Sequence, residues 1–280
     1  MIEVNKLVKT FGDFKALDSL DINVPTGAVY GLVGPNGAGK STVIRHITGI
    51  LKQDSGEVKI DGEDVFENTA VKSKTAYIPD DVFYYTQASV NDMMKFYRNI
   101  YPNFDTDRFD SLGKVFGIKT SSAIRKLSRG MQKQVAFWLA LSMRPETIVL
   151  DEPVDGLDPV MRRQVWNVLL SDVSENGTTV LISSHNLREL EDVCDHVGIM
   201  NKGRMMIERD LADLQESLVK VQLALPEGAS LPEGLDILHS ATEKLSAASP
   251  LFVDVLPLTL EEIFVYELGG AGYEVKDITV

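Results

Sequence analysis

Up to about residue 65 the chain sets short apolar runs between turns, a texture that predicts β-strands. One of them, Glu57-Val58-Lys59-Ile60, is bounded by Gly56 on one side and by Asp61-Gly62 on the other. From Ser89 to Met143 the apolar spacing lengthens to that of helices. Ser89 stands as a cap three residues before Asp92, and Met93, Met94, Phe96 and Tyr97 follow it. An apolar run at 147–150, a helical pattern from Pro159, a second run at 178–183 and another helical pattern from Asn186 then alternate strand with helix. That alternation predicts parallel strands joined by crossover helices. From about residue 218 the texture changes, with Pro226, Pro232 and Pro250 punctuating strand-like pieces such as 219–225, and an amphipathic helix is predicted at 260–268. The expected organisation is an α/β domain over 1–217, with an N-terminal antiparallel β-subdomain and an α-helical subdomain inserted at about 86–145. A small α+β extension is expected over 218–280. No internal repeat or low-complexity tract interrupts this pattern.

Composition narrows what such a domain can do. The 280 residues are 44% hydrophobic, enough for a full core, and 41 acidic against 28 basic side chains leave a formal charge of −13. That charge repels nucleic acid phosphates and an anionic lipid leaflet alike, so no nucleic acid partner is expected and membrane contact is expected only through another protein. The uncharged run at 134–143 is far short of the ~20 apolar residues of a membrane helix. The first residues have no basic region followed by an apolar run, so a signal peptide is not expected and a cytoplasmic location is. The single cysteine, Cys194, shares helical spacing with Leu187 and Leu190 and reads as core packing. His46, His185, His196 and His239 show no metal-ligand spacing with it or with one another, and no zinc is expected.

Two stretches carry chemistry. Gly34-Pro35-Asn36-Gly37-Ala38-Gly39-Lys40-Ser41 has the form G-x-x-x-x-G-K-[ST] and lies between an apolar strand at 28–33 and a helical pattern with Val43, Ile44 and Ile47. Glycines there let backbone N–H groups point at phosphate oxygens, Lys40 neutralises the β- and γ-phosphates, and the Ser41 hydroxyl can ligate Mg2+. Gly34, Asn36, Gly37, Gly39, Lys40, Ser41 and Thr42 are therefore candidate ATP-binding residues, and the fold class becomes an α/β P-loop NTPase core. The second stretch, Thr147-Ile148-Val149-Leu150-Asp151-Glu152, is an apolar strand ending in two acids. Asp151 is a candidate Mg2+ ligand, and Glu152 a candidate to orient or deprotonate the water that attacks the γ-phosphate.

With Leu127-Ser128-Arg129-Gly130-Met131-Gln132, about twenty residues before that strand, the chain resembles the ATP-binding cassette (ABC) proteins, whose signature sequence this is similar to. Gly156-Leu157-Asp158 resembles the family's D-loop, Ser183-Ser184-His185 its switch histidine, and Phe11 stands at the place of the aromatic that stacks on adenine. The resemblance covers roughly residues 1–215. It implies an ATPase subunit that powers transport through separate transmembrane permease subunits, with two cassettes, as homodimer or heterodimer, packed head to tail around ATP. It also implies that His185 touches the γ-phosphate, that Ser128, Arg129, Gly130 and Asp158 meet the partner cassette's ATP, and that the chain sits on the cytoplasmic face of the cell membrane. Opening a helical segment, Ser128 and Gly130 suit an anion on physical grounds as well.

The chain departs from the family pattern at three places. Asp80, in Ala76-Tyr77-Ile78-Pro79-Asp80-Asp81, takes the place of a glutamine that touches magnesium and the attacking water, which makes it a candidate catalytic and Mg2+-side residue. A carboxylate accepts there but cannot donate as an amide does. Arg129 replaces a common glycine, and Asp155 a small residue. Together these resemble the YtrB-like exporter cassettes. Some alternatives stay open: Phe11 as plain core, Arg129 as a solvent-facing side chain, and Phe83, Tyr84 and Tyr85 as either a groove for a permease helix or packing under a loop. A soluble non-transport ATPase predicts paired cassettes, a long coiled coil or a basic surface, and a nucleotide-gated regulatory cassette draws on Asp80.

Overall fold

The computed structural model describes residues 1–217, 219–223 and 253–264. Strands β1 (Ile2–Phe11) and β2 (Phe14–Val24) form a hairpin in which Ile2 lies opposite Val24 and Phe11 opposite Phe14. β3 (Val29–Val33) leaves it for a second sheet. After α1 (Lys40–Ile47) the chain returns with β4 (Ser55–Ile60) and the short β5 (Glu63–Asp64), completing an antiparallel sheet of order β2-β1-β4-β5.

Next come α2 (Thr69–Ser73) and β6 (Thr75–Ile78), then three helices, α3 (Val90–Ile100), α4 (Thr106–Phe116) and α5 (Arg129–Ser142). The long helical pattern is thus cut in three, by local chemistry. Ser89 and Asp92 make a capping box at the start of α3, and Asp105 caps α4 by accepting from the Arg108 N–H. Trp138 of α5 stacks on Phe109 of α4 with ring centroids 4.5 Å apart, and its Nε1 donates to the Phe109 carbonyl at 2.6 Å. The remainder runs β7 (Thr147–Asp151), α6 (Pro159–Asn176), β8 (Thr179–Ser184), α7 (Leu187–Glu191), β9 (His196–Asn201), β10 (Arg204–Asp210), α8 (Leu211–Ser217), β11 (Val219–Leu223) and β12 (Val253–Pro257). Arg108 of α4 forms an ion pair with the buried Asp172 of α6, tying the inserted helices to the rest.

The second sheet has the order β10-β9-β3-β8-β7-β6, parallel except for β10. Its central strands are buried on both faces, and the period-two alternation of side chains divides them between two cores. Val29, Val33, Ile148, Leu150, Val180 and Ile182 join the core that contains α5 and α6. Tyr30, Leu32, Val149 and Leu181 join the core shared with α1 and the hairpin.

Register matters more than content here. Val33 lies opposite Ser184, Asp151 opposite Ser183, and Ile78 opposite Leu150. The C-terminal ends of β3, β8, β7 and β6 therefore finish on one edge of the sheet, where open α/β sheets carry their ligand sites.

β11 and β12 pair antiparallel, Val219 opposite Pro257. Residues 258–264 then return to the main body, where Leu260 and Ile263 are fully buried and the Leu260 N–H donates to Glu191 Oε1 at 3.1 Å. Of the predicted helix at 260–268, residues 260–264 are helical. Its last residues, like Pro226, Pro232 and Pro250, lie outside the described residues. α7 ends at Glu191, before Cys194, which still packs against the sheet: a Cβ on Gly31 of β3 would lie 3.1 Å from its Sγ. Among the described residues no helix is long and apolar enough to cross a membrane.

Candidate active site

Lys40 is the first residue of α1, and Gly39 before it adopts φ 109°, a left-handed backbone that favours glycine. A Cβ at that glycine would also sit 2.9 Å from Leu17 Cδ2 and 3.0 Å from the Ala16 carbonyl, so the loop is pressed against β2. Asn36 and Gly37 stay exposed on its rim. The N–H groups of Ser41 and Thr42, in the first turn of α1, have no partner within the helix, which leaves them free for an anion. The Lys40 ammonium is buried and donates to the Gly34 carbonyl at 2.6 Å. Burial pulls its pKa down, opposed by the carboxylates of Glu152 and Asp151. Both acids, 111 and 112 positions further along the sequence, are thus in electrostatic reach of this lysine.

Ser41 Oγ lies 3.4 Å from Asp151 Oδ1, and that oxygen also accepts from Ser183 Oγ at 2.5 Å. A hydroxyl beside a buried carboxylate is a hard-oxygen donor set of the kind Mg2+ takes, so the residues fit the ion. Glu152 follows at φ 46°, a conformation that costs a non-glycine residue energy and persists where its surroundings enforce it. What enforces it is β8: the Glu152 N–H donates to the Ser183 carbonyl at 3.1 Å. Its carboxylate meets His185 Nδ1 at 2.8 Å and accepts from the His185 N–H at 3.3 Å. The hydrogen bond to Glu152 raises the His185 pKa, against partial burial.

Asp80 is exposed at the end of β6, paired with the buried ammonium of Lys133 at 3.3 Å. Lys133 also donates to the carbonyls of Glu152 at 2.6 Å and Asp155 at 3.3 Å. Neither Lys133 nor Ser183 stands out in the sequence as a site residue. The first carried a signal, a cation just before the apolar run of α5, and the second lay within Ser183-Ser184-His185 only as a neighbour of His185.

Ser128 caps α5, accepting from the Met131 N–H at 3.3 Å, and both Ser128 and Arg129 are exposed. Gly130 touches the D-loop-like turn, since a Cβ there would lie 2.7 Å from the Gly156 carbonyl. Gly130→Ala is expected to push that helix end off the turn, at about 1–3 kcal/mol of stability, which chemical denaturation would read; an unchanged midpoint would mean the contact yields freely. Asp158 is the cap of α6, accepting from the N–H groups of Val160 and Met161 at 3.0 Å each. Phe11 is 48% exposed at the end of β1, with Lys9 Nζ 5.7 Å from its ring centre, so plain core is excluded for it. Tyr84 is buried, its hydroxyl donating to the Gln132 carbonyl at 2.8 Å, and belongs to the packing. Phe83 and Tyr85 remain on the surface, Tyr85 edge-on to Phe96 at 5.5 Å.

The sequence profile of the family described as ABC transporter matches residues 17–155. The chain is 31% identical to the ABC transporter ATP-binding protein YtrB of Bacillus subtilis, covering 96% of this chain and 99% of that one. This chain belongs to the ABC transporter ATP-binding proteins. It is 29% identical to the bacitracin transport ATP-binding protein BcrA of Bacillus licheniformis, over 96% of this chain and 98% of that one. A solved ATP-binding subunit of an ABC transporter superposes with a TM-score of 0.72 at 26% identity, over 78% of this chain and 92% of that one. The cassette is accordingly an ATP-binding, ATP-hydrolysing subunit of an ABC transporter, a family that works with membrane subunits and as cassette dimers.

Proposed function

We propose that this cassette powers an exporter by closing on a second cassette, a copy of itself or a related chain, around ATP while docked on separate membrane subunits. The observation that carries the reading is the convergence, on one sheet edge, of Lys40, the Ser41–Asp151 pair and the Glu152–His185 pair. Phe11 stacks on adenine. Gly34, Asn36, Gly37, Gly39 and the N–H groups of Ser41 and Thr42 cradle the phosphates. Ser41 and Asp151, with Asp80 nearby, hold Mg2+, which when bound neutralises phosphate charge. Glu152 accepts a proton from the attacking water or orients it, and His185, held by Glu152, donates toward the γ-phosphate. The exposed cap Ser128, with Arg129, Gly130 and Asp158, meets the partner cassette's ATP.

Residues 1–217 form the cassette, with the insertion at about 86–145, and 218–280 an extension. The exposed Phe83 and Tyr85 are the proposed surface for a membrane subunit, with the cassette on the cytoplasmic face of the membrane. Export is favoured by the likeness to a bacitracin transport protein over nearly the whole chain. Selection of the cargo then belongs to the membrane subunit.

Light scattering on the purified chain tests the sandwich. With ATP and a metal chelator the mass is expected to double, whereas Ser128→Glu, which sets a carboxylate against the partner's phosphates, is expected to bind ATP and stay monomeric. A Ser128→Glu chain that doubles in mass as the wild type does would sink the head-to-tail arrangement.

A further inference from the structure

Lys133 is a charged side chain buried where the loop after β6, the loop after β7 and the first turns of α5 meet. An ammonium has three N–H donors, and here three acceptors surround it: the Glu152 carbonyl at 2.6 Å, Asp80 Oδ1 at 3.3 Å and the Asp155 carbonyl at 3.3 Å. The shortest of these holds the peptide that follows Glu152. The peptide before Glu152 is held from the other side, its N–H on the Ser183 carbonyl at 3.1 Å. Between the two anchors Glu152 is kept at φ 46°, and the direction of its carboxylate follows from that backbone.

We propose that Lys133 and Asp80 act together as a positioning pair for ATP hydrolysis: Lys133 fixes the Glu152 peptide, and Asp80 serves as the counter-charge that keeps the buried ammonium in place. The inference rests on Glu152 being the residue that acts on water. It gives the carboxylate at position 80 a role distinct from metal binding. A buried ammonium is tolerated where it is paired and fully hydrogen-bonded. With a glutamine at position 80 the two carbonyls would remain but the anion would be gone. Asp80 and Lys133 therefore form a matched set, whose neutral counterpart is an amide at both positions.

A double-mutant cycle with Asp80→Gln and Lys133→Gln, read by steady-state ATPase kinetics and by thermal melting, tests this. Lys133→Gln is expected to lower kcat by roughly tenfold or more with KM changed less than about twofold, because the lysine reaches the Glu152 peptide and not the nucleotide. Asp80→Gln is expected to fall as well. The double variant is expected to be at least about fivefold more active than Asp80→Gln, a non-additivity that contacting partners show and independent sites do not. The fold of Lys133→Gln is checked by its melting curve; should it fail to fold, the comparison of the double variant with Asp80→Gln still decides. Losses that simply multiply, or a Lys133→Gln enzyme with wild-type kcat, would overturn the pairing. Glu152→Gln run alongside separates the two levels: if it hydrolyses ATP normally, the reading of Glu152 fails, whereas an inactive Glu152→Gln beside an additive cycle fails the pairing alone.

Discussion

Glu152→Gln is expected to hydrolyse ATP at least about a hundredfold more slowly than the wild type while binding it with little change, a loss in the range that general bases contribute. An amide at this position keeps an oxygen to accept from the His185 N–H and from its ring, which lie 3.3 and 2.8 Å from the carboxylate. It keeps the shape of the side chain too, so the strained backbone at φ 46° has the same surroundings. What it loses is the ability to take a proton and the negative charge beside Lys40. Because ATP then persists, the variant is also expected to accumulate as the ATP-bound dimer. Single-turnover kinetics beside equilibrium nucleotide binding would check both halves. A variant that turns over at a rate near wild type would place the base elsewhere.

Lys40→Ala is expected to weaken ATP binding by roughly a hundredfold or more, the scale on which removing one partner of a desolvated charge pair acts. The ammonium donates to the Gly34 carbonyl at 2.6 Å, within the loop it serves. A triphosphate offers stronger acceptors for it, so the same lysine both braces the loop and neutralises the ligand. Calorimetric titration would measure the loss directly. Melting curves give an independent reading, because a ligand that binds only the folded state raises its stability in proportion to the logarithm of concentration over Kd. ATP is therefore expected to shift the wild-type transition upward and to leave that of Lys40→Ala nearly unmoved. Equal shifts would mean that the loop backbone alone holds the phosphates.

These two residues lie in motifs that can be read from a few consecutive positions, and the same holds for Ser41, Asp151 and the cap Ser128. Each depends on backbone geometry that a short segment sets by itself: a glycine turn entering a helix, an apolar strand ending in acids, a hydroxyl before a helical run. The pieces that were not legible depend on distant neighbours. Gly130 is demanded by the Gly156 carbonyl, 26 positions on, and Asp151 is oriented by Ser183, 32 positions on. Asp80 could be placed by its motif, yet nothing near it in sequence announces that its carboxylate meets Lys133, 53 positions away.

The α/β class, the alternation of strands with crossover helices, the phosphate loop and the membership of an ATP-binding cassette family were determined by the sequence alone, since hydrophobic period and local motifs carry them. Tertiary structure alone decided which strand ends share an edge. The order β10-β9-β3-β8-β7-β6 sets β8 between the phosphate-loop strand and the strand bearing Asp151, so Ser183 and His185 arrive beside the two acids. It also decided that Phe11 stands exposed while Tyr84 is buried, that Lys133 is buried as a cation, and that residues 258–264 pack back against α7. Periodicity records only which face of an element is apolar. Which element lies against that face, and so which polar groups must satisfy one another there, is settled when the whole chain is packed.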